Sequence, residues 1–322
     1  MGSMVDGRYY REGENAPTDR QGEWHREPSA IRNWITSDGG PGPTGEGGFA
    51  ADPERYHLYV SWNCPWAHRT LLARHFKQLE ELITISIAKP RRTEEGWVFD
   101  HHGEFSDSLL GIDALHEVYA EGADSYTGRV TVPVLWDKKT GTIVSNESAD
   151  IVRMFDTAFE EMAPKTQRLY PKEAAKKIDQ WNELIYRTVN NGVYRAGFAG
   201  TQSAYEKAAR EVFETLDAID RHLASAEFLV GDRFSEADLR LFPTLARFDV
   251  AYHYAFKCNL KKISDYPHLW PYARFIYQMP GISRLVKFDL YKQGYFSPSE
   301  KRNPLGIVPI GPETHWDAPH GR

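Results

Sequence analysis

The chain has 322 residues, 41% of them hydrophobic and 26% charged, with a formal net charge of −6. That acidic balance, with no basic patch interleaved with aromatics, excludes broad contact with a phosphate backbone, and no apolar run approaches bilayer-spanning length. Two cysteines, Cys64 and Cys258, are too few for a disulfide framework, so the reducing cytoplasm is the expected compartment.

The length favours two domains over one. Seventeen tyrosines and nine tryptophans exceed what a core of this size needs and point to a site where flat apolar molecules stack. The opening residues carry no apolar run of a secretory signal. Residues 1–50 read as a polar, irregular arm ending in a Gly/Pro-rich loop, Gly39 to Gly48, with Trp24, Ile31, Trp34 and Ile35 as its main apolar anchors.

Residues 51–160 mix strands and helices. Tyr56 to Trp62 predicts a strand, Pro65 to Leu79 an amphipathic helix and Leu82 to Ala88 a second strand. Val130 to Trp136 and Gly141 to Val144 predict a hairpin around Asp137 to Thr140, followed by a helix from Asn146 to Phe159. Pro133 inside a strand lacks a ladder donor and belongs at an edge, a bulge or a cis turn. The roughly forty residues between the second and third strands, 89–129, exceed an ordinary connection and predict a functional insertion.

Beyond Pro171 the strand pattern stops. Helices are expected at 172–191, 203–223, 235–254 and 268–278, the third opened by the capping pattern Ser235-Glu236-Ala237-Asp238. Residues 171–288 thus predict an all-helical domain, and 289–322 an irregular tail.

The strand, Cys64, Pro65 and the following helix place one sulfur at a helix N-terminus. Pro65 suits the first turn because its missing N–H has no intrahelical partner there. The positive helix end favours thiolate, the nucleophilic form. Dithiol redox proteins carry a second cysteine three residues on, and here that position is Ala67, so an external thiol is required. Cys258, in Phe256-Lys257-Cys258-Asn259, lacks this setting and is expected to be structural. His101-His102 has no further ligand at metal spacing and is expected in a solvated loop, with no metal site. No phosphate loop, dinucleotide fingerprint or nucleophile-elbow serine is present.

This order, a thioredoxin-like α/β domain before an all-α domain, resembles the glutathione transferase fold. The motifs Cys64-Pro65-Trp66-Ala67-His68-Arg69, PGPTGEGGF in the arm, Gly96-Trp97, Gly128 to Trp136, Ser145-Asn146-Glu147-Ser148, Asn190 to Tyr194, Arg247-Phe248-Asp249 and Gly311-Pro312 look like the glutathionyl-hydroquinone reductases, the Xi-class, Omega-like glutathione transferases. The resemblance covers nearly the whole chain. It implies glutathione as co-substrate, no covalently bound cofactor, an aromatic glutathionyl-hydroquinone as substrate and a homodimer.

It further implies Cys64 as nucleophile and Trp97, Arg129, Val130, Thr131, Val132, Pro133, Glu147 and Ser148 as the glutathione site. Val132 before Pro133 pairs with extended glutathione like an added strand. Arg129 meets the glycyl carboxylate, Glu147 and the helix start at Ser148 take the γ-glutamyl group, and Trp97 walls the tripeptide. Tyr194 is implied as proton donor to the hydroquinone, with Tyr252 and Tyr295 as hydroxyl donors to the Cys64 sulfur. Arg195, Phe198 and Tyr254 are weaker candidates for the pocket wall. Three alternatives remain at this point: a glutaredoxin-like thioltransferase or dehydroascorbate reductase, a conjugating glutathione transferase, and a non-catalytic module on the same fold. A conjugating enzyme activates glutathione with a serine or tyrosine hydroxyl, which Cys64 replaces.

Overall fold

A computed structural model describes residues 2–11, 18–45 and 47–322. Positions 1, 12–17 and 46 of the predicted arm, including the glutamate of its PGPTGEGGF run, lie outside the described residues. The chain divides into two compact units, Met1–Asn15 with Pro28–Arg168 and Ala16–Glu27 with Leu169–Arg322.

The first unit carries more strand than the sequence predicts. In the arm, β1 (Ser3–Val5) and β2 (Arg8–Tyr10) form an antiparallel hairpin, and β3 (Trp34–Thr36) pairs in parallel with β4 (Gly48–Ala50). The predicted irregular arm is therefore corrected. Its strands are three residues long, too short for a period-2 pattern to register.

The central sheet runs β6 (Ile83–Ile87), β5 (Tyr56–Val60), β8 (Val134–Asp137), β9 (Thr142–Ser145), after α1 (Pro65–Phe76) has crossed from β5 to β6. β5 and β6 are parallel and β8 antiparallel to β5. Every residue of β5 and of β8 is buried, as expected for strands covered on both faces. His57 on β5 places its ring nitrogens 2.7 Å from Thr84 Oγ1 and 2.9 Å from Ser86 Oγ on β6.

The predicted insertion, 89–129, contains a helix that the sequence reading did not place, α2 (Leu115–Gly122). Of the predicted strand 130–136 only the later part forms, in β8, and a separate short strand, β7 (Gly128–Arg129), precedes it and pairs with β1. The peptide Val132–Pro133 between them is cis. After β9, α3 (Ser148–Thr157) closes the unit and packs on α1.

In the second unit the two long predicted helices are interrupted. α4 (Ala175–Ile185) runs into a π-helical turn, Tyr186–Asn190, before α5 (Gly192–Gly197). After α6 (Gln202–Leu223), α7 (Glu236–Arg247) likewise enters a π turn, Phe248–Tyr252, before the short α8 (His253–Ala255). Each π turn adds a residue to the helical repeat and re-aims the side chains that follow. The Ser235 cap forms as the sequence implies: Ser235 Oγ donates to Asp238 Oδ2 at 2.7 Å. α9 (Leu269–Gln278) follows as predicted. The tail differs, because it opens with a helix, α10 (Phe288–Tyr295).

Candidate active site

Cys64 is the N-cap of α1, 8% exposed, with extended φ and ψ of −84° and 119°. Ala67 N donates to its sulfur at 3.5 Å, and the thiol donates to Val132 O at 3.4 Å. The two contacts divide the protonation states between them: an N–H aimed at sulfur favours thiolate, and a carbonyl favours thiol. The residue in the position of a resolving cysteine, Ala67, contributes only its backbone. The backbone of Val132 thus lies against the sulfur.

Two of the predicted glutathione segments, Val130–Pro133 and the start of α3, are joined by hydrogen bonds. Tyr119 donates its hydroxyl to Thr131 O at 2.9 Å and accepts from Asn146 Nδ2 at 3.2 Å. That bond ties the Val130–Pro133 segment to the start of α3. Glu147 is the N-cap there, and its carboxylate accepts from Ala149 N at 2.9 Å and from Ser29 Oγ at 2.9 Å. Ser148 is buried beside it. Val130 and Val132 are each 4% exposed. Trp97 is buried on the insertion, with the Arg92 guanidinium 5.2 Å from its ring centre. Arg129 lies on β7, opposite Ser3 of β1.

The second unit gathers the three tyrosines. Tyr295 Oη lies 2.6 Å from Tyr194 Oη and 3.0 Å from Tyr252 Oη, so it is the middle of a hydroxyl chain. The rings pack around Phe256, which stacks on Tyr252 at 5.4 Å and meets Tyr194 at 5.2 Å. Removal from water raises the Tyr252 and Tyr295 phenols well above the ordinary tyrosine value, neighbouring hydroxyls add to this, and the buried Arg247 works against it. Both are protonated near neutral pH and serve as donors, not bases. Three hydroxyls hold three protons, and the two internal bonds use two of them.

The weaker candidates separate. Phe198 joins the aromatic cluster, 5.9 Å from Tyr194. Arg195 is engaged by Glu211 at 2.6 Å and Glu23 at 3.7 Å. Tyr254 is 71% exposed and packs on Phe296. Cys258 is fully buried and donates to Phe256 O, and burial pushes its thiol up to about 12. His101 lies in an exposed bend facing Asp113 at 3.6 Å. Among the described residues no group of three or more His, Cys, Asp or Glu is placed to hold a metal ion, and no helix is long and apolar enough to cross a membrane.

Two family models match the chain: the glutathione S-transferase N-terminal domain over residues 63–158 and the glutathione S-transferase C-terminal domain over residues 202–274. A glutathionyl-hydroquinone reductase of Escherichia coli is 49% identical, over 100% of this chain and 98% of that protein. The chain belongs to the glutathionyl-hydroquinone reductase family. A second such reductase, from Sphingobium chlorophenolicum, is 42% identical over 97% of this chain and 96% of its own length. A solved, glutathione-bound structure of the Escherichia coli transferase homologue superposes with a TM-score of 0.91 at 48% identity, covering 100% of this chain and 99% of that one.

Four further residues that hold the candidate site residues within their own units escape sequence reading. Ser29, Tyr119, Phe256 and Arg247 act through long-range contacts. Arg247 alone had a signal, since a fully buried arginine inside an apolar helix requires a polar or aromatic neighbourhood. The structure supplies it: the guanidinium lies 3.8 Å from the Tyr291 ring centre and donates to Pro243 O at 2.8 Å.

Proposed function

We propose that the chain reduces S-glutathionyl-hydroquinones to free hydroquinones, with Cys64 as nucleophile and glutathione as reductant. The carrying observation is a single sulfur at the N-cap of α1, held by Ala67 N and Val132 O, with alanine where a resolving cysteine belongs. Val130 to Pro133, Arg129, Glu147, Ser148 and Trp97 are assigned to glutathione in the roles given above.

In the first step the Cys64 thiolate attacks the glutathionyl sulfur and forms an S–S bond. The carbon–sulfur bond breaks, its electron pair stays with the ring, and the ring takes a proton. The ring carbon is reduced by two electrons, and the two sulfurs are oxidised to a Cys64–glutathione mixed disulfide. In the second step a glutathione thiolate attacks that disulfide, oxidised glutathione leaves, and Cys64 returns as thiolate.

We assign the proton, and support of the developing oxyanion, to Tyr194, Tyr252 and Tyr295. Protonation of the product is assigned to Tyr194, and support of the Cys64 sulfur to Tyr252 and Tyr295. The same reading makes the enzyme a cytoplasmic homodimer, which sedimentation and cell fractionation test. The activity test is incubation with glutathione and a glutathionyl-hydroquinone, followed by chromatography of the aromatic product. Free hydroquinone with stoichiometric oxidised glutathione supports the reading. Reduction of simple mixed disulfides alone, with the conjugate untouched, makes the protein a general thioltransferase.

A further inference from the structure

The predicted arm begins with a hairpin that touches the neighbours of two proposed glutathione residues. On its first strand, Ser3 and Met4 pair with Arg129 and Gly128 of β7, and Met4 is 1% exposed. On its second strand, Tyr9 donates its hydroxyl to Glu94 O at 2.9 Å and stacks on His116 of α2, centroids 4.1 Å apart and planes 12° from parallel. Arg11 bonds Glu94 at 2.8 Å and also Glu95.

Glu94 and Glu95 form the middle of a tight turn in which Thr93 and Gly96 exchange backbone bonds of 3.0 Å. Gly96 sits at φ +77°, in the left-handed region, and a Cβ there meets Tyr9 Oη at 3.4 Å. The next residue is Trp97, whose carbonyl accepts from Leu115 N at 2.8 Å, one residue before His116. Tyr9 therefore holds both the turn before Trp97 and the helix start that bonds Trp97. One hairpin fixes the backbone on which Trp97 and Arg129 are both mounted.

We propose that the β1–β2 hairpin is a clamp for the glutathione subsite, with Tyr9 as a positioning residue acting through Trp97 and Arg129. This rests on the assignment of those two residues to glutathione. A preorganised wall costs less ordering on binding, so the clamp acts on affinity for the glutathionyl group and not on the bond-breaking step.

The test uses full-length Tyr9→Ala, Tyr9→Phe and, as an exposed neighbour, Tyr10→Ala. Steady-state turnover is measured against glutathione and against the conjugate, with calorimetric glutathione binding to each variant in a Cys64→Ser background. Loss of one ordering contact corresponds to roughly tenfold in affinity. Tyr9→Ala is expected to raise KM for both substrates by about that factor with kcat within about twofold. Tyr9→Phe, which keeps the stack on His116, recovers most of the loss, and Tyr10→Ala matches wild type. Unchanged KM and binding in Tyr9→Ala overturn the clamp. A fall in kcat and active fraction at constant KM in both Tyr9 variants overturns it too, as a general folding role. If the Cys64→Ser parent binds no glutathione, the reading of the subsite fails and takes the clamp with it.

Discussion

Tyr295→Phe is the sharpest perturbation of the tyrosine chain, because it removes the middle hydroxyl and keeps the ring. Tyr295 makes two hydroxyl bonds, of 2.6 and 3.0 Å, whereas within the chain Tyr194 and Tyr252 each make one of them. At a net contribution of about 1 kcal/mol per buried hydrogen bond, the bonds within the chain add about 1 kcal/mol to the cost of Tyr194→Phe and of Tyr252→Phe and about 2 to that of Tyr295→Phe. The ring contacts of Tyr295 with Tyr252 and Phe256 survive in all three, so packing cancels from the comparison. Urea unfolding of the three variants reads the ratio directly. The same substitution isolates Tyr194 from Tyr252, so a proton can no longer pass between them. Breaking that relay lowers turnover with glutathione binding retained, and removing the proposed acid itself, in Tyr194→Phe, lowers it by about a hundredfold or more. Equal unfolding midpoints for the three variants, or a Tyr295→Phe enzyme with wild-type turnover, refute the chain.

Other consequences follow from single groups. Burial lowers the His57 imidazole from its ordinary value of 6.5 to about 4, so the unfolded chain binds a proton the folded chain refuses. Its contribution is complete above pH 6.5 and is lost as the pH falls towards 4, a change of about 3 kcal/mol. Urea midpoints measured across that window should fall in wild type and flatten in His57→Gln. Cys258→Ser should keep turnover, and iodoacetamide at neutral pH should spare Cys258, because its thiol stays protonated in the core. Arg247→Met should raise the Tyr252 and Tyr295 phenols further, seen as a later onset of tyrosinate absorbance on alkaline titration, and slow turnover.

What the sequence discloses and what it hides divide along contact range. The setting of Cys64, the proposed nucleophile, is legible because its signals are local: strand, cysteine, proline and helix lie within a dozen residues. The central strands show through their continuous apolar runs. α2 was hidden in a polar stretch, although Glu117, whose carboxylate accepts from Ala114 N at 2.8 Å, is a capping signal that marks its start. The π turns before α5 and α8 leave the apolar period almost unchanged, so no window reveals them. Tyr194, Tyr252 and Tyr295 were nameable only through resemblance, since three tyrosines from separate helices share no sequence spacing. Ser29 and Tyr9 act across more than eighty residues, and no short-range pattern marks either of them.

The central claim is that one cysteine carries the glutathionyl group between two half-reactions. Mass spectrometry of the intact protein after mixing with a glutathionyl-hydroquinone, with no free thiol present, tests it most directly. One glutathionyl group at Cys64, one hydroquinone released per chain, and removal of the adduct by added glutathione are the predicted results. Repeated turnover without added thiol, or an adduct that persists in Cys64→Ser, contradicts the claim.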